Sequence, residues 1–196
     1  MTQSITSPIA AETLAKLRAG DSVLLSGTVY TARDAAHARL CEALHAGETL
    51  PVDLRGQTVF YAGPTPTPPG KPSGAIGPTT SVRMDPYTPA LLEYGLAAII
   101  GKGERGQAVK DALVKNGAVY FVAIAGCAAY MASCVQAVEV VAYDDLGTES
   151  IKRLTVQNLP LTVAIDVLGN DFYTEGQRRY RETLPENLEK LNKYAK

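Results

Sequence analysis

The chain has no tryptophan, and only three cysteines and two histidines among its 196 residues. Three thiols are too few for a disulfide scaffold, so an apolar core has to hold the fold, and a reducing cytoplasm is the expected setting. No apolar run reaches the roughly 18 residues that a membrane span needs. The stretch MTQSITSPIAAETLAKLRAGD lacks a basic region followed by an apolar one, so no signal peptide is expected. Charge of one sign is also missing: 19 Lys and Arg stand against 20 Asp and Glu, a net charge of -1. That balance removes the electrostatic case for a dedicated nucleic-acid or anionic-membrane binder. What is present is an apolar fraction of 46%. It suffices for one folded domain spanning 1–196, with no internal repeat and no convincing boundary.

The punctuation of the chain predicts a helix over Ser7 to Gly20, with Ser7 as cap, Pro8 in the first turn and Leu14 and Leu17 on one face. A strand follows over Ser22 to Tyr30, then a polar turn over Thr31 to Asp34 and a helix from Ala35 to Ala46. A second strand, Thr58 to Ala62, leads into GPTPTPPGKPSGAIGP, which holds six of the 12 prolines. Such a segment excludes helix and reads as a rigid loop held against the domain. Asp85-Pro86 is expected to cap a helix through Tyr94. Thereafter strands at Leu96 to Ile100, Ala118 to Ile124 and Val135 to Tyr143 alternate with helices at Gln107 to Asn116 and Cys127 to Ser133. Two short strands, Ile151 to Val156 and Leu161 to Val167, precede a polar helix from Asn170 to Lys196. The alternation argues for an α/β fold with a mixed, partly parallel sheet.

Three motifs carry chemistry. Gly101-Lys102-Gly103-Glu104-Arg105-Gly106 matches the glycine pattern of a dinucleotide turn between a strand and a helix. The next strand brings no acidic residue for a ribose, and too little chain follows for a second mononucleotide half, so that reading is weak. What survives is a glycine turn at a helix start beside Lys102, an anion site that a carboxylate would also fit. In Gly77-Pro78-Thr79-Thr80-Ser81-Val82-Arg83-Met84-Asp85, Thr80 and Ser81 read as turn formers and Asp85 as a cap. Thr79 and Arg83 are left over, and Arg suits a bidentate carboxylate contact. In Thr31-Ala32-Arg33-Asp34-Ala35-Ala36-His37, Asp34 reads as a helix cap and Arg33 projects from the turn. His37, one turn into the helix, reads as an orienting or packed residue before a catalytic one, and His45 as solvated. Cys41, Cys127 and Cys134 lack a C-x-x-C element and read as small core residues before cluster ligands. Arg33, Arg83 and Lys102, with Thr79, suit a small dicarboxylate better than a polymer. The residues by themselves name no reaction.

GPTTSVRMD, GKGER, TARDAAH, AYDDLGTESI and LTVAIDVLGND together resemble the β subunit, or C-terminal domain, of class I fumarate hydratase. The L(+)-tartrate dehydratase β subunit is closely similar and shares the GPTT and GKG elements. The resemblance implies a swivelling β/β/α domain and a hydro-lyase that interconverts fumarate and (S)-malate. It implies a [4Fe-4S] cluster ligated by the α subunit and not by this chain. It also implies activity only in a heteromer with that subunit, of α2β2 stoichiometry. Carried over by motif, Arg33 and Arg83 would clamp the substrate carboxylates, Lys102 would add a third cation, and Thr79 would take the C3 proton. His37 and Asp34 would support them. A tartrate dehydratase or other dicarboxylate hydro-lyase half, and a non-catalytic anion-binding module, are the alternatives.

Overall fold

The computed structural model describes residues 2–194, with side chains through Glu189. It is a mixed α/β fold built on one seven-stranded, partly parallel sheet, in the order β1-β2-β3-β4-β5-β7-β6. The strands are β1 (Gln3–Ser7), β2 (Ser22–Thr31), β3 (Thr58–Phe60), β4 (Ala98–Gly101), β5 (Val119–Val122), β6 (Val135–Ala142) and β7 (Ile151–Ile165). The helices are α1 (Ala11–Leu14), α2 (Asp34–His45), α3 (Thr88–Tyr94), α4 (Gln107–Asn116), α5 (Ala128–Ser133) and α6 (Phe172–Tyr194). β1 to β5 are parallel neighbours. β7 runs antiparallel to β5 with its second half, to β6 with its first, and to β2 along nearly its whole length. The pairings therefore close a ring, β2-β3-β4-β5-β7 and back to β2.

Alternation along the ring strands separates two cores. Leu25, Val29, Phe60, Ile100, Phe121, Leu154 and Val163 meet in one cluster, capped by Leu14, Leu17 and Met131. Val59, Ile99, Tyr120 and Ile165 face the other way, against Leu40, Leu91, Leu92, Val109 and Leu113 of α2, α3 and α4. Both clusters are essentially sealed from water, which at about 25 cal/mol per Å² of apolar surface supplies the main drive for this arrangement.

Three expectations need correction. The segment over Ser7 to Gly20 is not one helix: Gln3–Ser7 pairs in parallel with β2, and only Ala11–Leu14 is helical. The buried Ser7 donates to Thr58 Oγ1 at 2.9 Å, so a residue read as a cap serves the sheet. The strands expected at Ile151 to Val156 and Leu161 to Val167 are one 15-residue strand. Asn158, at φ 53, and the bulge of β2 between Leu25 and Gly27 absorb the irregularity, with the Asn158 amide donating to Ser26 Oγ at 3.0 Å. The last two residues of the expected C-terminal helix, Ala195 and Lys196, lie outside the described residues. Among the described residues no helix is long and apolar enough to cross a membrane.

Candidate functional site

In a parallel sheet with helical crossovers, the loops at the carboxyl ends of the strands converge, and ligands are bound there. Arg33 follows the end of β2, and Lys102 follows β4. Thr79 lies at the end of the proline-rich loop that leaves β3, and its amide donates to Tyr61 O at 2.7 Å, which pins it to that strand end. The loop turns sharply on itself. Thr65 N donates to Ala75 O, and a Cβ on Gly74 would stand 2.1 Å from Thr65 O, so only glycine fits there. This is the rigid connection that the prolines suggested.

Four of the residues singled out from sequence touch one another. Arg83 Nη2 donates to Thr79 Oγ1 at 2.7 Å, and Arg83 Nε lies 3.2 Å from Asp34 Oδ1. Arg33 Nη2 lies 4.0 Å from Asp34 Oδ2 and 3.2 Å from Glu149 Oε1. Asp34 thus sits between two guanidinium groups. It is not the cap expected of it, since no side chain of the preceding turn caps α2 and Asp34 is already its first residue. Glu149 takes that part, with Oε2 accepting from the Ala35 amide at 3.1 Å, where a carboxylate also meets the positive end of the helix dipole. Arg33 Nε and Asp34 Oδ2 are buried without a hydrogen-bond partner among the described residues, so the cluster keeps unused polar valence.

Lys102 reaches the same turn through the backbone. Its amide donates to Ser81 Oγ at 2.8 Å, and Ser81 opens the 3-10 turn Ser81–Met84 that carries Arg83. Lys102 lines a cavity of about 570 Å³ with Thr80, Ser81, Val82, Ile124 and Tyr173. Thr79 precedes this turn and Arg83 belongs to it, but neither is part of the cavity's lining.

His37 is fully buried behind this cluster. Its Nδ1 contacts Arg33 O at 2.9 Å, and a carbonyl only accepts, so the proton sits on Nδ1. Burial pushes the imidazole down to about 4, and the ring packs edge-on to Tyr61 at 4.9 Å. It is a buried, packed residue, in line with the packed reading. His45 is exposed.

The glycine turn differs from its expectation. The start of α4 is occupied by the protein's own carboxylate, with Asp85 Oδ2 accepting from the Gly106 amide at 2.7 Å. Asp85 therefore does not cap the helix that follows it. The expected helix after Asp85-Pro86 begins only at Thr88, with Gly95 closing it at φ 116. Arg105, from the same turn, points inward, with its side chain fully buried against Asp85, Tyr61 and Tyr120. A pyrophosphate has no vacant helix start here.

Sequence reasoning missed Glu149, Lys152 and Arg105. Lys152 is buried, and its ammonium donates to Gly147 O at 2.8 Å and Ser150 Oγ at 2.5 Å, while burial lowers its pKa. It holds the loop that brings Glu149 to Arg33. A Cβ on Gly63 would meet Thr148 O at 2.6 Å and Arg33 Cδ at 3.1 Å, so that contact also requires glycine. Polarity in AYDDLGTESI was the one available signal, and it does not say which carboxylate turns inward.

No group of three or more His, Cys, Asp or Glu among the described residues is placed to hold a metal ion. Cys41 and Cys134 are buried in opposite cores, and Cys127 packs at the edge of one of them. These residues do not fit an iron–sulfur cluster.

Arg33, Asp34, Thr79 and Arg83 thus gather beyond the carboxyl ends of β2 and β3, with Lys102 after β4, on a partly parallel α/β ring. The family model for the fumarase C-terminus matches residues 2–176, and the chain belongs to that family. It is 42% identical over 153 residues to "Fumarate hydratase class I, anaerobic" of Escherichia coli K12, covering 77% of this chain and 28% of that protein. It is 41% identical over 153 residues to "Fumarate hydratase 1, mitochondrial" of Leishmania major, again covering 77% and 28%. With "Putative L(+)-tartrate dehydratase subunit beta" of Methanocaldococcus jannaschii it shares 38% identity over 177 residues, 87% of this chain and 91% of that protein. The chain thus spans 28% of these two fumarate hydratases, but nearly all of the separate β subunit.

Proposed function

We propose that this chain is the β-type half of a two-subunit class I fumarate hydratase, supplying the substrate clamps and the proton-abstracting hydroxyl. The observation that carries the reading is the 2.7 Å contact from Arg83 to the Thr79 hydroxyl, beside a second arginine and Asp34. A threonine hydroxyl is intrinsically a very poor base. A guanidinium donating to its oxygen favours the alkoxide over the alcohol, and the neighbouring Arg33 adds to the positive field.

Arg33, Arg83 and Lys102 would receive the two carboxylates of the diacid. As Thr79 takes the C3 proton of malate, negative charge grows on the adjacent carboxylate, and contacts that tighten with that charge lower the barrier. Asp34 and Glu149 hold the guanidinium groups in place and moderate the local charge, so that the site is not collapsed by repulsion between cations. An iron–sulfur cluster, which the family resemblance implies, belongs to the partner chain in this reading.

The tartrate dehydratase alternative is favoured by one observation, the near-complete coverage of a relative that is itself a β subunit. Anaerobic co-expression with the partner chain, iron–sulfide loading, and assay of fumarate, malate and tartrate separate the readings. Turnover of malate supports the first and turnover of tartrate alone the second. A verified complex that turns over neither leaves an anion-binding module.

A further inference from the structure

We propose that Arg105 and Asp85 form a positioning pair that sets Lys102 against the Thr79–Arg83 turn. The proposal deepens the functional reading above and rests on it for its kinetic test. Asp85 comes two residues after Arg83 and Arg105 three residues after Lys102, so the pair joins the two segments that carry the candidate cations. Arg105 Nε donates to Asp85 Oδ1 at 2.8 Å, Nη2 lies 2.7 Å from the same oxygen, and Nη2 also donates to Thr88 Oγ1 at 3.1 Å. The guanidinium lies over the rings of Tyr61 at 5.2 Å and Tyr120 at 4.8 Å. The other Asp85 oxygen holds the Gly106 amide. Two amino-acid stretches some 20 residues apart are thereby fastened at Arg105–Asp85 and again at Lys102–Ser81.

Stability alone is a poor reason for this arrangement. Burying an ion pair costs solvation that its attraction commonly only offsets, and apolar replacements of similar shape are often as stable. An apolar pair, however, has no direction. The planar fork of arginine fixes Asp85, Thr88 and two ring faces at once, which an ammonium does not reproduce. The tolerance is tight: a Cβ on Gly101 would stand 2.2 Å from Ser81 Oγ, so β4 and the 3-10 turn have no room to slide. Gly103, at φ 79, then turns the chain, held by Tyr120 Oη on its carbonyl and Tyr173 Oη on its amide. Lys102 is oriented by these fastenings.

The test uses Arg105→Met, Arg105→Lys and Asp85→Asn, the last as the mildest should the first fail to fold. In the chain alone, amide hydrogen exchange at Lys102 and Gly103 is expected to quicken at least about tenfold, with the amides of β2 unchanged. Unchanged exchange at Lys102 in a folded variant overturns the proposal. In the assembled enzyme, Arg105→Met should raise KM for the diacid about tenfold while kcat falls less, with Arg105→Lys recovering only part. Lys102→Met should abolish most of that further rise, because Arg105 acts on the diacid through the placing of Lys102. Additive effects on KM overturn the pairing. Loss of turnover by the wild-type complex would sink the functional reading instead, and the exchange experiment would still decide the pair.

Discussion

The two ends of the parallel strands are built from the same kinds of residue and finished differently. At the amino-terminal end, the fully buried Asp166 accepts from the amides of Ala19, Leu168 and Asn170 and from the Asn170 side chain. Each of its oxygens is used, and it ties the end of β7 to the turn before β2. At the carboxyl-terminal end, Arg33, Asp34, Thr79 and Arg83 touch, yet Arg33 Nε and Asp34 Oδ2 stay buried with no hydrogen-bond partner among the described residues. A carboxylate with both oxygens bonded stabilises the fold; a cluster of charges with unbonded polar atoms is a candidate for a ligand site. The Asp166 cluster is closed on itself, and the Arg33–Asp34 cluster is not.

That contrast can be broken by experiment. The largest effect is expected for Thr79→Val in the assembled enzyme, a fall of about 1,000-fold in kcat/KM from loss of the base, with exchange of the C3 proton lost alongside. Unchanged proton exchange would remove Thr79 from the role. At the closed end, Asp166→Ala should cost about 3 kcal/mol of stability by orphaning buried donors, while activity per folded molecule holds. Denaturant titration beside the assay checks it, and a comparable fall in both would show that the ends are not separable. Arg83→Ala should lower kcat/KM about 100-fold with little change in stability, since its side chain is 46% exposed. A loss of only a few-fold would contradict the clamp.

The smallest effect sharpens the comparison by pH. His37 is held at about 4 in the fold against 6.5 when unfolded. Between those values the unfolded chain binds the extra proton, so stability is full above 6.5 and falls as the pH drops towards 4. At pH 5 the deficit is on the order of 2 kcal/mol. His37→Gln should flatten that acid limb in urea titrations at pH 7 and 5. An unaltered slope would assign the limb to other groups.

Much of the fold was legible because its signals are local. The helices over Asp34–His45 and Gln107–Asn116 stand within a residue or two of their expected bounds, set by apolar spacing and by Gly117 in the left-handed conformation. Arg33, Thr79 and Arg83 stood out as polar residues that turn formation left unexplained. The misreadings share a cause. Ser7, Asp85 and Asp34 were each assigned to the nearest helix, and each instead bonds a residue of another segment: Thr58, Arg105 and Arg83. A capping residue looks the same in sequence whether its partner is three or fifty residues away.

Composition and periodicity alone settled that this chain forms a mixed α/β domain with glycine and proline turns at fixed places, because helix and strand preferences act over a few residues. Only the tertiary structure decided that Ile151–Ile165 is one strand closing a ring, that Glu149 meets Arg33, and that Arg105 turns inward while Arg83 stays out. Those outcomes depend on which distant surfaces exclude water together, and burial is a property of the packed molecule that no single stretch of chain possesses.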